Sequence, residues 1–427
     1  MQWLRIRAAL PRLVNRSAKV NPTGSGEALP AKLIAVVFIP FACGFFLSIL
    51  LRYVNAVIAR DLAADFALSP SDLGLLTSAY FLVFAAFQIP LGVLLDRYGP
   101  RRVLATLLVF AAAGALTFGL AQGVAALALG RALLGLGVSG CLMGSIKAFT
   151  LWFPLSRLAT LNGWILAIGA LGAMSATAPV EALAGAAGWR AVFYVLTASC
   201  ASVAALIFFV VPERPLPEAR ETWSRQVSEI GAILQSTFFW RVALPLIAVH
   251  GGYQALQGLW LAPWLADIGG QSRPAVAQTL LAGSLAYGVG SVIFGTAADR
   301  MAARLTAYKV GMVMSVGAFF ALVAGVREGT HAIVMVYGFG ACAAALPYAI
   351  LSQHFARGLT GRVITASNIF MFIASFAFQW GIGVLLRFWP ADAGRYPAEA
   401  YAVAFGIVGV LQLAALLWLL SMREKSG

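Results

Sequence analysis

Charge is scarce in this sequence, and negative charge is scarcer. Only 11% of its 427 residues are Asp, Glu, Lys or Arg, against about 25% in a soluble domain. Hydrophobic residues make up 61%, more than a soluble fold of this size can hide from water. A polytopic membrane protein is the class that remains. Acidic residues number 16 against 30 Lys and Arg. No acidic residue falls in the middle of an apolar run, and Glu181 comes nearest. The chain therefore lacks the membrane-buried carboxylate that proton antiporters and cation exporters use. Its four cysteines, Cys43, Cys141, Cys200 and Cys342, sit inside apolar runs at spacings that match neither a metal site nor a disulfide framework. There is no Ser/His/Asp trio within reach, no metal-ligand cluster and no phosphate-cradling Gly loop followed by Lys. An enzyme, a metal centre and a bound cofactor are all excluded on this reading. No nucleotide-binding domain is present either, so any work must draw on a gradient. The net charge of +14 would suit nucleic acid, but no basic face with an aromatic platform stands out. In a membrane protein the same excess marks the cytoplasmic side.

What is present is a series of long apolar runs. A spanning helix needs about 20 mostly apolar residues. Twelve such runs are predicted, over 33–59, 73–95, 103–122, 124–149, 159–182, 191–211, 242–265, 275–297, 305–326, 332–353, 363–386 and 399–421. They are continuous, not alternating ten-residue segments, which excludes a β-barrel. The one long polar connector joins the sixth run to the seventh. The fold class is therefore all-α, with twelve membrane helices in two pseudo-symmetric bundles. The domain plan is a cytosolic tail over 1–32, a six-helix bundle over 33–211, a cytosolic linker over 212–240, a second bundle over 241–421 and a tail over 422–427. With the N-terminus in the cytosol, twenty-one Lys and Arg fall on that side and six on the other. Both termini are then cytoplasmic, in a bacterial inner membrane, and a monomer is expected. Arg52, Arg131 and Lys147 stay inside the runs.

Between the second and third runs lies Gly92-Val93-Leu94-Leu95-Asp96-Arg97-Tyr98-Gly99-Pro100-Arg101-Arg102. A weaker copy lies 203 residues later, with Gly295, Asp299 and Arg300 standing where Gly92, Asp96 and Arg97 stand. Ala302 replaces Gly99 in that copy. Gly130-Arg131-Ala132-Leu133-Leu134-Gly135-Leu136-Gly137, Gly188-Trp189-Arg190 and Pro212-Glu213-Arg214-Pro215 accompany them. Together these segments resemble the signatures of the major facilitator superfamily of transporters, over about 33–422. The resemblance implies two cytosolic gates built from Gly92, Asp96, Arg97, Gly99, Arg101, Asp299 and Arg300. In it Asp96 latches against the start of helix eleven in the outward-open state. The fifth run lacks the Gly-Pro-x-x-Gly-Gly element of the drug/proton antiporters, which speaks against drug efflux.

The same resemblance implies a pathway lined by helices one, four, seven and ten. Polar residues there are the binding candidates: Arg52, Tyr53 and Asn55; Arg131 and Lys147; His250, Tyr253, Gln254, Gln257 and Trp260; Tyr337, with Tyr348 beyond it. His250, Tyr253, Gln254 and Gln257 follow i, i+3, i+4, i+7, one face of an α-helix. Buried cations without buried acids call for an anion. The expectation is a small organic anion clamped by Arg52 and Lys147, with His250 available to carry a coupled proton. Efflux of a lipophilic compound, or a non-transporting membrane sensor or assembly protein, stands as the alternative.

Overall fold

A computed structural model describes residues 31–154, 157–214, 223–300, 304–356, 359–391 and 395–422; of residues 159, 223–226 and 298–300 only the backbone is described. The tails over 1–30 and 423–427, and the part of the linker over 215–222, lie outside it. The described chain is helical almost throughout. Its membrane helices are α1 (Ala31–Tyr53), α2 (Pro70–Ala86), α3 (Gln88–Gly119), α4 (Val124–Trp152), α5 (Thr160–Ala187), α6 (Trp189–Val210), α7 (Thr237–Asp267), α8 (Arg273–Ala297), α9 (Arg304–Val323), α10 (Thr330–His354), α11 (Thr360–Leu386) and α12 (Ala398–Leu420). Ten of these pass unaided as spans by length and hydropathy. The second span is divided by a break at Phe87, so it is shared between α2 and the first arm of α3. The seventh comes after the helix Val227–Leu234 and a bend of 88°. The linker, expected as a polar connector, thus contains a helix, Trp223–Leu234.

Each break has a local cause. Within α3 the chain turns at Gly99, with φ 78° and ψ 158°, and Pro100 comes next. That backbone region is closed to side chains with a Cβ, and the proline ends the preceding helical hydrogen-bond ladder. The first run, expected as one helix to residue 59, instead breaks at Val54, and a short helix Asn55–Phe66 carries the chain on to a left-handed Ala67. A capping box at Ser69 and Asp72 then starts α2. α7 contains two π-helical stretches, Leu246–His250 and Leu256–Trp260.

The first six helices pack mainly on one another, and so do the last six. Two pairs join the groups most closely: α2 with α11, and α5 with α8. Counting six helices on from α2 gives α8, and from α5 gives α11, so the two contacts are images of each other, as a repeat about an axis along the membrane normal requires. Large apolar side chains such as Val109, Leu129, Phe209, Val292 and Val410 point outward. That surface suits lipid, not water.

Candidate functional site

Two arginines are buried in the first six helices, and their surroundings differ. Arg131 on α4 is fully buried. It donates to the carbonyls of Leu51 at 3.0 Å and Thr77 at 3.4 Å and stands over the Tyr80 ring at 5.0 Å. Both carbonyls belong to neighbouring helices of the same half, so Arg131 ties α1, α2 and α4 together. Arg52 near the end of α1 is directed elsewhere. Its guanidinium lies 5.4 Å from the Phe84 ring of α2 and 5.1 Å from the Phe372 ring of α11. These two rings are themselves 4.2 Å apart and come from different halves. Arg52 therefore sits where the halves meet, in a cation–π cleft. It has no carboxylate partner among the described residues, and its Nε makes no hydrogen bond.

Around that point the polar atoms of both halves converge. Tyr53 donates its hydroxyl to Gln254 Oε1 across the interface. Tyr253 stacks at 5.2 Å on Tyr287 of α8 and meets Tyr337 of α10 at 5.4 Å. His250 extends this aromatic stack, 5.9 Å from Tyr253 and 6.0 Å from Tyr287. Several buried atoms here lack partners among the described residues: His250 Nδ1, Gln254 Nε2, Tyr337 Oη and both amide atoms of Gln379 on α11. Buried polar groups are almost always hydrogen-bonded, so such a set needs a reason. Among the described residues the Asp267 side chain is buried, and it is engaged by Arg60 and Tyr401.

The sequence candidates divide accordingly. Arg52, Tyr53, His250, Tyr253, Gln254 and Tyr337 come together at the interface. Asn55 instead reaches Thr77 within the first half, at 3.5 Å. Gln257 donates to the Leu280 carbonyl and to Ser284 on α8. Trp260 donates to the Gln379 carbonyl at 2.7 Å, and Tyr348 donates to Asn368 at 2.7 Å. The predicted single stripe on α7 is thus divided, because the π-helical turn at Leu256–Trp260 adds a residue and rotates the remainder of the helix. The expected clamp of Arg52 with Lys147 is not formed. Lys147 Nζ is 2.7 Å from Asp96 Oδ1 in a half-buried ion pair. A carboxylate expected in a cytosolic gate thus lies beside the lysine and neutralises it. Phe84, Tyr287, Phe372 and Gln379 lie on α2, α8 and α11, outside the four helices that the family resemblance implied. Gln379, an amide in a largely apolar run that also holds Asn368, was the signal available for them.

At the Asp96 end, Gly92 is half-buried and Gly99 makes the turn. Arg97 stacks over its neighbour Tyr98 at 5.3 Å. Arg101 donates to the Phe208 carbonyl at 2.9 and 2.6 Å and approaches Glu213 at 3.4 Å. Asp96 meets Lys147 and not the start of α11. The side chains of Asp299 and Arg300 lie outside the described residues. At the opposite end the halves are tied by ion pairs that cross between them. Arg60 binds Asp267 at 2.6 Å, and Arg273 binds Asp61 at 2.7 Å and Glu181 at 2.9 Å.

Known proteins share this architecture and parts of the sequence. A bacterial homolog of the human lysosomal transporter Spinster, in an inward-facing and unoccupied conformation, superposes with a TM-score of 0.72. It is 18% identical, and the match covers 94% of this chain and 100% of that one. The "Probable sulfoacetate transporter SauU" of Cupriavidus necator is 32% identical over 44% of this chain and 43% of its own length. The nitrate/nitrite transporter NrtP of Picosynechococcus is 35% identical over 28% of this chain and 22% of its own. The matched region thus spans less than half the length of these curated relatives. The sequence model of the Major Facilitator Superfamily matches residues 41–379. Since that match covers most of the twelve-helix core, the chain belongs to the Major Facilitator Superfamily.

Proposed function

We propose that this protein is a secondary transporter that carries a small organic anion across the bacterial inner membrane by alternating access. The observation that carries the reading is Arg52: a buried guanidinium held between Phe84 and Phe372, without an acid to neutralise it among the described residues. A charge desolvated in this way costs free energy until a counter-ion arrives. A carboxylate or sulfonate on the substrate supplies one, and guanidinium geometry suits it. Gln254, Gln379 and Tyr337 offer free polar atoms for the rest of a small polar solute. The relatives named for sulfoacetate and for nitrate carry anions, which supports the same substrate class. Lys147 takes no part in binding. His250 stands 5.9 Å from Tyr253 within this site and is the candidate for a coupled proton. The excess of Lys and Arg supports a cytoplasmic position for the Asp96 end.

The aromatic lining of Tyr53, Tyr253, Tyr287 and Tyr337 favours a second reading, efflux of a lipophilic compound. A thermal-shift screen of the purified protein separates the two. Binding to the folded state stabilises it by about 2.7 kcal/mol at a hundredfold excess over Kd. Sulfoacetate or a related small anion should raise the melting temperature of the wild type and leave Arg52→Gln unmoved. Stabilisation by cationic amphiphiles and by no anion overturns the proposal.

A further inference from the structure

A cavity of about 370 Å³ opens at the Asp96 end, wholly within the first six helices and the segment after them. It lies apart from Arg52, and the transport reading makes no use of it. Its rim holds four guanidiniums, those of Arg97, Arg101, Arg102 and Arg214, against the one carboxylate of Glu213. Glu213 is already engaged by Arg102 at 2.6 Å and Arg101 at 3.4 Å. Arg214 donates to the Leu151 carbonyl and stands 5.4 Å from the Trp152 ring. Arg97, exposed, has no carboxylate partner among the described residues. The inner wall is apolar and buried, with Phe41, Ala148 and Trp152 among its residues. A cationic rim over an apolar floor matches an amphiphile with an anionic head.

The height of the cavity in the membrane points the same way. α6 runs 22 residues from Trp189 to Val210, about 33 Å at 1.5 Å per residue. That is close to the roughly 30 Å hydrocarbon thickness. Glu213 and Arg214 come directly after it, so they emerge at the level of the lipid head groups. Trp152 closes α4 at the same level, with an apolar body and a polar tip suited to that interface. Basic pockets between membrane helices hold anionic head groups, and guanidiniums bind phosphate bidentately.

We propose that this cavity binds the phosphodiester head group of an anionic membrane lipid. The lipid would bridge the Gly99 turn, the end of α4 and the segment after α6. The first two belong to the first half and the third leaves it, so the lipid would brace that half and the start of the linker as a unit.

The test uses the full chain purified in detergent, with dioctanoyl phosphatidylglycerol as probe. Dioctanoyl phosphatidylcholine and inorganic pyrophosphate serve as comparison at matched ionic strength. Phosphatidylglycerol should raise the melting temperature while the other two do not. In the double variant Arg97→Gln/Arg102→Gln the apparent affinity should fall about tenfold or more, given two basic residues lost at a lipid surface. Arg327→Gln, an exposed arginine at the opposite end, should bind as the wild type does. Brominated phosphatidylglycerol should quench fluorescence less in Trp152→Phe than in the wild type. Equal shifts with phosphatidylcholine overturn the proposal, as does an undiminished shift in the double variant. A shift with pyrophosphate and none with lipid overturns the lipid as source and makes this a site for soluble phosphates.

Discussion

The two ends of the molecule are built from the same kinds of charged residue, used differently. At the Asp267 end three described ion pairs join one half to the other, Arg60 to Asp267 and Arg273 to Asp61 and Glu181, while Asp65 with Arg190 stays inside the first half. At the Asp96 end Lys147 with Asp96 and Arg102 with Glu213 stay within the first half and the segment after it, and Arg362 of α11 pairs with Glu229 of the linker helix at 2.6 Å. Helix packing agrees. Near the Asp267 end a Cβ on Gly383 would stand 2.4 Å from the Pro70 carbonyl oxygen, so α2 and α11 touch through backbone. Charges that bridge the halves hold an end closed. Charges satisfied inside one half leave the halves free to part. The cross-interface contacts hold the Asp267 end closed in this structure, and Asp96 is paired with Lys147 inside its own half.

The sharpest way to break this contrast is Gly383→Val. Overpacking of this sort costs about 1–3 kcal/mol, and the strain exists only when α2 and α11 are closed. Ala59→Cys, buried in the short helix Asn55–Phe66, should react with an impermeant maleimide about tenfold faster in this background. Arg273→Gln removes two carboxylate contacts at the same end. The pairs are partly solvated, so each contributes at most about 1 kcal/mol, and labelling should rise about fivefold. Unchanged labelling in both variants would show that these contacts do not hold the gate.

Lys147→Gln probes the other end and should act more weakly. It frees Asp96 to engage the opposite half, which would raise labelling of Ala59→Cys by about twofold, the scale of a partly exposed ion pair. Anion-induced stabilisation should persist in this variant, and its loss would return Lys147 to the binding site. The smallest effect belongs to Asp65, which sits at the Asp267 end but binds Trp189 and Arg190 of its own half. The hydrogen bond from Trp189, then that from Arg190, holds its pKa below the usual carboxylate value. A depressed folded-state pKa gives stability that is present above the unfolded pKa of about 3.9 and lost as pH falls through the folded value. Wild type should therefore melt slightly above Asp65→Asn at pH 6, and the margin should vanish below about pH 4. Labelling of Ala59→Cys should not change, since this pair does not cross the interface.

Much of the fold is legible in the order of residue types along the chain. Long apolar runs become helices because a bilayer leaves backbone groups no other partner. The turn at Gly99-Pro100 is readable because those residue types each dictate backbone geometry. The candidate site is legible only in part. Arg52 and Arg131 look alike in sequence, each a lone cation in an apolar helix. Arg131 donates from its terminal nitrogens to Leu51 and Thr77, and Arg52 faces Phe372 from the opposite half. The i, i+3, i+4, i+7 pattern on α7 holds only for a regular α-helix, and the π-helical turns break that period. Lys147 looks free for a substrate in the sequence because its partner, Asp96, is 51 residues away in the chain.

The sequence by itself determined the solvent, the helices, the repeat and the excess of positive over negative charge. Those properties depend on residue type and local order along the chain. Only the tertiary structure decided which cation is neutralised, which is used as a structural tie and which lies between aromatic rings of the two halves. That choice depends on distances between residues remote in sequence, set by how α2 meets α11 and how α7 turns between its two π-helical stretches.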